Sequence, residues 1–396
     1  MKILHVNYYD IQGGAAKAVY RLHHGLLDAG QDSVMLVADK KNNDDSIMSA
    51  FSPGQLKSIQ FKQKLESLIC INLRRKHKFP HSLNIFSSGL FDKINFIKPD
   101  IVNLHWINGC MVSIKEIAQV KVPMVWILHD AWAICGAEHH HFFTDKRYKN
   151  GYAKSSLWDA NRYVWRQKMK YWKNLNFNIV APSSWIGEEA AESRIMGNKH
   201  IQLIHNGIDL DVFSPNAKEN NRQRKIIAFG AFNLNDWNKG GQELLQALRI
   251  LRDKHKCEFE LLLIGNGRFS DEFKSRNTGF IVADKDLATA YRQADVFVLA
   301  SKYDNLPNML VEASACGIPL VAFNTGGIPD IVEHKKNGYL AEAFDCEDLA
   351  NGINYVLDEK IHSRLAATAR KTAEEKFDIK NIVNKYIGLY KSMTNK

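Results

Sequence analysis

Two acidic residues, Asp304 and Glu312, stand with seven residues between them in the segment 301–319. The segment has the pattern of a loop that follows a strand and then opens a helix. Backbone N–H groups at a helix start can hold phosphate oxygens. An acid at the loop start can accept hydrogen bonds from the hydroxyls of a polyol. An acid about two turns along the helix can accept hydrogen bonds from a pair of hydroxyls. The alternative interpretation is a helix N-cap followed by a solvated glutamate.

Two loops could serve the same phosphate chemistry. Lys239 ends the polar loop 230–240 just before a predicted helix, where its charge could neutralise a departing phosphate. Gly13 and Gly14 lie between the first strand and its helix, which lets the backbone approach a ligand closely. A solvent-exposed loop lysine and a plain tight turn are the alternatives.

The elements that would position these residues alternate between strand and helix along nearly the whole chain. This alternation favours parallel sheets covered by helices, an α/β fold. The predicted strands are 3–6, 34–37, 101–104, 122–128 and 178–181 in the first half, and 225–229, 259–264, 278–282, 296–299, 319–323 and 338–340 in the second. Parallel sheets bind ligands beyond the carboxyl ends of their strands, and the residues named above fall there.

The length of 396 residues exceeds one ordinary core and favours two domains of similar size. The Asn206-Gly207 pair is a strong turn signal and marks the boundary. We predict domains at 1–204 and 205–378, and we expect a final helix, about 379–396, to pack back on the first.

The net positive charge lies wholly in the first half of the chain. Residues 1–180 hold 25 Lys and Arg against 14 Asp and Glu, whereas 181–396 hold 28 against 29. A basic half indicates an anionic partner, such as phosphates, anionic lipid headgroups or nucleic acid. The alternative interpretation is a basic face that only contacts solvent. The segment 57–78 has the pattern of a basic amphipathic helix that could lie on anionic lipid. A helix covering the first sheet is an equally good interpretation.

The cysteines and the first residues of the sequence indicate the cellular location of the protein. The six cysteines form no CxxC pair, which is typical of a reducing cytosol. The first residues have the pattern of a strand and not of a signal peptide. No apolar run reaches the ~18–20 residues that span a bilayer. We expect a cytoplasmic protein whose membrane contact, if any, is peripheral and at the inner face.

Five features in this order resemble glycosyltransferase family 4. They are Gly13-Gly14, His129-Asp130, the turn at 206–209, Lys239-Gly240, and the Asp304 to Glu312 segment. The segment from Asp304 to Pro319 is the most specific part, and 126–141 is similar to exopolysaccharide and O-antigen transferases. The resemblance covers nearly the whole chain. It implies two Rossmann-like domains facing across a cleft, the arrangement called GT-B.

For the donor site, the resemblance implies that Lys239 faces the β-phosphate, Asp304 the donor sugar and Glu312 the ribose. Phosphate would meet the amides of Asn308 and Met309. The other donor-binding positions are Gly13, Gly14, Gly230, Asn233, Ile281, Asn305 and Leu306. No metal or other cofactor is expected, because a lysine and helix amides can hold the phosphates.

Three positions depart from the family pattern. The first acid is Asp304 where the family usually has Glu. Pro307 replaces a glycine and brings no N–H donor. The arginine that many relatives carry before the lysine is missing, with Asn233 or Asn235 in its place.

On the acceptor side, the resemblance places His129 at the reaction centre, against the donor sugar. We expect His105, Trp106, Glu138 and His139 to belong to the acceptor side, with a surface loop as the alternative for 138–141. A metal site is disfavoured there because consecutive residues point in different directions. The Asp-x-Asp patterns at 209–211 and 284–286 are interpreted as a domain-entry turn and a helix start.

The sequence therefore predicts a retaining glycosyltransferase. It would move a hexose from a nucleotide-sugar, UDP-linked and with glucose as one candidate, to a saccharide or lipid-linked hydroxyl in polysaccharide biosynthesis. A nucleotide-sugar epimerase of the same fold and a non-catalytic nucleotide-sugar-binding protein are the alternatives. Nucleic acid is not an expected partner, since only the charge suggests it.

Overall fold

The computed structural model describes residues 1–71, 79–140, 145–156, 158–216 and 224–394. Their contacts divide the chain into two compact units. The first comprises Met1–Ile204 together with Ile382–Lys396, and the second comprises His205–Asn381.

The first unit is built on a seven-stranded parallel sheet. Its strands are β1 (Lys2–Tyr9), β2 (Asp32–Asp39), β3 (Ile47–Ser49), β4 (Ile101–Leu104), β5 (Met124–Ile127), β6 (Asn178–Ala181) and β7 (Ile201–Leu203). Their order is β3-β2-β1-β4-β5-β6-β7. The central strands β1 and β4 are buried along almost their whole length, as expected for parallel strands covered on both faces.

Helices of the first unit follow their strands in turn. They are α1 (Gly14–Asp28), α2 (Pro53–Ile69), α3 (Leu90–Ile97), α4 (Ile114–Ile117), α5 (Ala160–Trp172) and α6 (Ser184–Glu192). Local sequence fixes several of their starts. Ser52 and Gln55 form a capping box at α2, and the Asp159 carboxylate caps α5.

The second unit holds a six-stranded parallel sheet. Its strands are β8 (Lys225–Asn233), β9 (Phe259–Asn266), β10 (Ser275–Asn277), β11 (Val296–Leu299), β12 (Leu320–Phe323) and β13 (Gly338–Ala341). Their order is β10-β9-β8-β11-β12-β13, and every neighbouring pair is parallel. The predicted fold class, two α/β domains with parallel sheets, is confirmed.

The remaining helices are α7 (Gly241–His255), α8 (Asp284–Tyr291), α9 (Asn308–Ala315), α10 (Cys346–Val356), α11 (Glu359–Lys376) and α12 (Ile379–Thr394). The residues of α12 from Ile382 onward belong to the first unit. There, Tyr390 receives a hydrogen bond from the amide of Asn103 in β4.

The strand predicted at 278–282 was wrong. The strand is Ser275–Asn277, and the chain turns after it because Gly279 adopts a φ of 70°. The Gly279 carbonyl then accepts a hydrogen bond of 2.9 Å from the Gly265 amide of β9. Ile281 therefore lies in a loop beyond the strand.

Candidate active site

Lys239 is held by a short turn after β8. The Asp236 carboxylate accepts from the Asn238 amide at 2.9 Å and so begins the 3₁₀ turn Trp237–Lys239. The Asn238 side chain then donates to the Tyr303 carbonyl at 2.8 Å. The turn is thereby tied to the loop that carries Asp304.

Two glycines allow this close approach of loops. Gly240 has a φ of 71°, and a Cβ placed there would lie 1.8 Å from the Ala300 carbonyl oxygen. Gly326 has a φ of 54°, and its Cβ would lie 2.0 Å from the Asp304 carbonyl oxygen. A side chain at either position would clash with backbone atoms and would also be strained by the positive φ. Glycine is therefore required at both positions.

Lys239 and Asp304 form an ion pair in the structure. Lys239 Nζ lies 2.7 Å from Asp304 Oδ2, and the side chains are 27% and 15% exposed. Although burial acts to lower it, the Asp304 carboxylate raises the pKa of Lys239 above its ordinary value. The lysine is thus charged at neutral pH and reachable from solvent, as a phosphate-binding cation must be.

Glu312 lies on α9 and is almost completely buried, at 2% exposed. The Tyr291 hydroxyl, at the end of α8, donates to Glu312 Oε2 at 2.8 Å. This contact fixes the orientation of the carboxylate. Tyr291 was missed in the sequence because nothing local links the two helices.

The helix α9 begins at Asn308, with Pro307 at the N-cap position and no side-chain cap. Asn308 Oδ1 accepts a hydrogen bond of 3.2 Å from the Asn206 amide. Met309 points back toward β8, where a Cβ on Gly230 would lie 2.0 Å from its Cε. Gly230 thus makes room for the first turn of the helix.

The other donor-side positions have different surroundings. Asn305 and Leu306 are buried, and Leu306 packs into the core of the second unit. Asn233 is exposed, and its side-chain oxygen accepts from the Asn235 amide at 3.0 Å. Ile281 is half-buried against the same core as Leu306.

In the first unit, the structure brings His105 and His129 together. His105 follows β4, His129 follows β5, and His105 Nδ1 lies 3.1 Å from His129 Nε2. The two rings stack with their centroids 5.3 Å apart. Burial lowers the pKa of His129 to about 4, with a smaller opposing effect from Asp130, so the ring is neutral at neutral pH.

Asp130 organises the neighbouring loop. Its Oδ2 accepts from Trp106 Nε1 at 3.0 Å and lies 2.6 Å from His139 Nδ1. Its Oδ1 accepts from the Trp132 amide at 2.9 Å. Although burial acts to raise it, the interaction with His139 holds the pKa of Asp130 below its ordinary value. Asp130 therefore holds Trp106 beside His139, with the two ring centroids 5.6 Å apart.

Glu138 and His139 are buried and have partners inside the unit. The Tyr152 hydroxyl donates to Glu138 at 2.5 Å, and His139 Nε2 lies 2.9 Å from Ser82 Oγ. Burial raises the pKa of Glu138. These contacts fix both side chains within the loop, and their place on the acceptor side stays a prediction. His141 lies outside the described residues.

Gly13 and Gly14 lie at the start of α1. Gly13 has a φ of 91°, and a Cβ there would have no neighbour within 4 Å. Glycine is therefore needed at this position for the backbone conformation, and the space beside its Cα is open.

The two halves of the chain match two family descriptions. Residues 12–212 match "Glycosyltransferase Family 4", and residues 223–359 match "Glycosyl transferases group 1". The chain belongs to glycosyltransferase family 4. The resemblance drawn from the motifs is confirmed, and this glycosyltransferase is an enzyme by family.

Relatives of known sequence carry transferase names. A putative colanic acid biosynthesis glycosyl transferase of Escherichia coli K12, WcaC, is 23% identical over 99% of this chain and 100% of its own length. The sulfoquinovosyl transferase SQD2 of Arabidopsis thaliana is 24% identical over 76% of this chain. The matched part spans 58% of that plant protein.

Solved structures share the fold. Sucrose-phosphate synthase of Thermosynechococcus elongatus superposes with a TM-score of 0.70 at 18% identity, covering 100% of both chains. Anabaena HepE, solved with UDP-glucose, superposes with a TM-score of 0.65 at 17% identity, covering 99% of this chain and 100% of that one. The glycosyltransferase has the GT-B fold.

Proposed function

We propose that this glycosyltransferase moves a hexosyl group, with retention of anomeric configuration, from a UDP-sugar to a hydroxyl of a saccharide or lipid-linked acceptor. The observation that carries the proposal is the Lys239–Asp304 ion pair of 2.7 Å, at the carboxyl ends of the strands and in the loop that opens α9. A cation and a carboxylate at that edge suit a diphosphate and a hydroxyl-rich sugar.

Each donor group would meet one part of the second unit. Lys239 would leave Asp304 to bind the β-phosphate, and Asp304 would then accept from sugar hydroxyls. The first turn of α9 would hold phosphate oxygens through its backbone and dipole. Glu312, oriented by Tyr291, would accept from the ribose hydroxyls. No metal takes part in this scheme.

The chemistry would proceed by front-side attack. The acceptor oxygen forms a bond to the anomeric carbon on the face from which the diphosphate departs. The carbon–oxygen bond to the β-phosphate breaks, and the departing phosphate oxygen takes the acceptor proton. Lys239 stabilises the negative charge that develops on that oxygen, and the protein supplies orientation. His129, neutral and held by His105, would position a hydroxyl of the donor sugar.

UDP and glucose are the first candidates for the donor. HepE of Anabaena was solved with UDP, with UDP and glucose, and with UDP-glucose. The name of WcaC points to polysaccharide biosynthesis. Both lines favour a UDP-hexose donor and a saccharide acceptor for this chain.

The described part of the basic segment, α2, supports peripheral contact with an anionic membrane. Phe61, Leu68 and Ile69 are 62%, 65% and 55% exposed, an unusual surface for a soluble helix. Lys57 and Lys64 on the same helix are exposed too. Residues 72–78, which include Arg74, Arg75, Lys76 and Lys78, lie outside the described residues. No helix among the described residues is long and apolar enough to cross a membrane.

Two measurements test this function. A thermal-shift panel of nucleotide-sugars should show the largest rise in Tm with a UDP-hexose. Product analysis with that donor alone should show no altered sugar, whereas adding a saccharide acceptor should yield UDP and a glycoside. An isomerised donor without acceptor would support an epimerase instead. Flotation with anionic vesicles, lost in a Phe61→Ser, Leu68→Ser variant, tests the membrane contact.

A further inference from the structure

Three histidine rings of the first unit form one hydrogen-bonded chain. His129 Nε2 lies 3.1 Å from His105 Nδ1, and His105 Nε2 lies 3.0 Å from His5 Nδ1. His5 stands opposite Asn103 in the ladder between β1 and β4. The Asn103 side-chain nitrogen lies 3.3 Å from His5 Nδ1 and also donates to the Tyr390 hydroxyl of α12.

All the inner members of this chain are buried. His5 and Asn103 are 0% exposed, His105 is 3% exposed and Tyr390 is 0% exposed. Burial, with a smaller contribution from neighbouring histidines, lowers the pKa of His5 and of His105 well below the ordinary value. Both rings are therefore neutral at neutral pH, like His129.

Neutral imidazoles have one N–H and one lone pair each, so a chain of them has a direction. The Asn103 side-chain nitrogen, which can only donate, faces His5 Nδ1 at 3.3 Å, and in this orientation of the amide His5 Nδ1 is the lone-pair nitrogen. The His5 proton is then on Nε2, which is buried and has no hydrogen-bond partner among the described residues. His105 can bond to that atom only by donating from Nε2, which makes its own Nδ1 the lone-pair nitrogen. His129 must in turn donate from Nε2 to His105 Nδ1.

This order also determines the protonation of the second ring nitrogen of His129. With Nε2 protonated and committed to His105, Nδ1 of His129 is a hydrogen-bond acceptor. A chain running the other way would make Nδ1 a donor. An acceptor suits a ligand hydroxyl, which can donate, and a donor at this place would suit a carbonyl or a phosphate oxygen instead.

We propose that Asn103 and Tyr390 are positioning residues that act through His5 and His105 to keep His129 in the Nε2–H form. The inference rests on the proposed function in one respect, which is the placement of His129 against the donor sugar. The last helix of the chain would thereby influence a reaction to which it contributes no contacting group.

The ring protonation can be read directly, independently of turnover. Protein labelled with ¹⁵N in its histidines gives distinct long-range ¹H–¹⁵N patterns for the Nε2–H and Nδ1–H forms. A His129→Gln variant identifies the His129 signals. The expected wild-type result is a single Nε2–H form, and a single Nδ1–H form would overturn the proposal.

Two variants test the end of the hydrogen-bonded chain that lies farthest from His129. Asn103→Leu removes the donor to His5, and Tyr390→Phe removes only one hydroxyl, so the second should fold if the first does not. Each should give His129 a mixture of both forms. An unchanged Nε2–H form in folded Tyr390→Phe and, where it folds, in Asn103→Leu would overturn the proposal.

Turnover separates the ring form of His129 from its role in the reaction. If His129 positions the donor sugar, Asn103→Leu should lower kcat about tenfold, the equivalent of one hydrogen bond. A changed ring form with unchanged kcat would support the control of His129 by Asn103 and would contradict the role of His129 in the proposed function. Ser33→Ala is the matched control. It removes a 2.7 Å hydrogen bond to His23, whose ring lies edge-on to His5 at 6.0 Å but is hydrogen-bonded to Ser33 and Ser46, and it should leave His129 in one form.

Discussion

Lys239 Nζ lies 2.7 Å from Asp304 Oδ2, so the lysine that would bind a donor phosphate is already paired with the acid that would bind the donor sugar. A diphosphate must compete with Asp304 for this cation. The same carboxylate repels the arriving phosphate. In the proposed donor site, this ion pair therefore opposes nucleotide binding until Lys239 changes partner.

Asp304→Asn should separate the two effects of this carboxylate. Removing its charge frees Lys239 and ends the repulsion, so UDP alone should bind about three- to tenfold more tightly, roughly 0.7–1.4 kcal/mol for a partly solvated pair. Sugar transfer should fall, because the hydroxyl acceptor is weakened. Titration calorimetry with UDP measures the first effect. Weaker UDP binding would show that Asp304 does not oppose the phosphate.

Tyr291→Phe tests the orientation of Glu312. Losing the 2.8 Å hydrogen bond leaves a buried carboxylate less fixed, so UDP should bind about tenfold more weakly. The effect should disappear with 2′,3′-dideoxy-UDP, which lacks the ribose hydroxyls that would donate hydrogen bonds to Glu312. An equal loss of affinity for both ligands would place Glu312 away from the ribose.

Gly326→Ala should destabilise the second unit. The new Cβ would lie 2.0 Å from the Asp304 carbonyl oxygen at a φ of 54°, which costs about 2–4 kcal/mol of unfolding free energy. Thermal unfolding followed by circular dichroism measures the loss. Gly54→Ala is the control, since a Cβ in α2 at that position has no neighbour within 4 Å. A stable Gly326→Ala variant would contradict the described loop packing.

His23 should make the stability of the first unit depend on pH. Burial lowers its pKa to about 4, against about 6.5 in the unfolded chain. The unfolded chain binds more protons between these values, so stability is complete above about pH 6.5 and falls as pH drops toward 4. The loss amounts to at most about 3 kcal/mol.

His23→Gln removes this titrating group, so the decrease in Tm between pH 7 and pH 5 should become smaller. His200→Gln, which removes an exposed ring, should keep the wild-type decrease. Equal decreases in all three proteins would show that His23 is not buried in its neutral form.

The sequence predicts the features of this protein that depend on short segments. Buried strands such as β5 and β11 are continuous apolar runs, and glycine and proline mark the ends of elements, so the α/β class followed directly. The strand near 278 was misplaced because Gly279 turns the chain. The partners Tyr291 for Glu312 and Asn103 for His5 could not be predicted, since they are distant in sequence and meet only when the sheets form.

The most direct test of the account is the turnover of Lys239→Ala and Glu312→Ala with the UDP-sugar that the thermal-shift panel selects. Both should lower kcat/KM about a hundredfold or more, because each removes a contact to the donor diphosphate or ribose, while the folded state persists. Lys302→Ala, which removes a lysine paired with Glu243 at 2.6 Å, should retain near wild-type activity. Wild-type turnover in both donor-site variants would contradict the proposed transferase site.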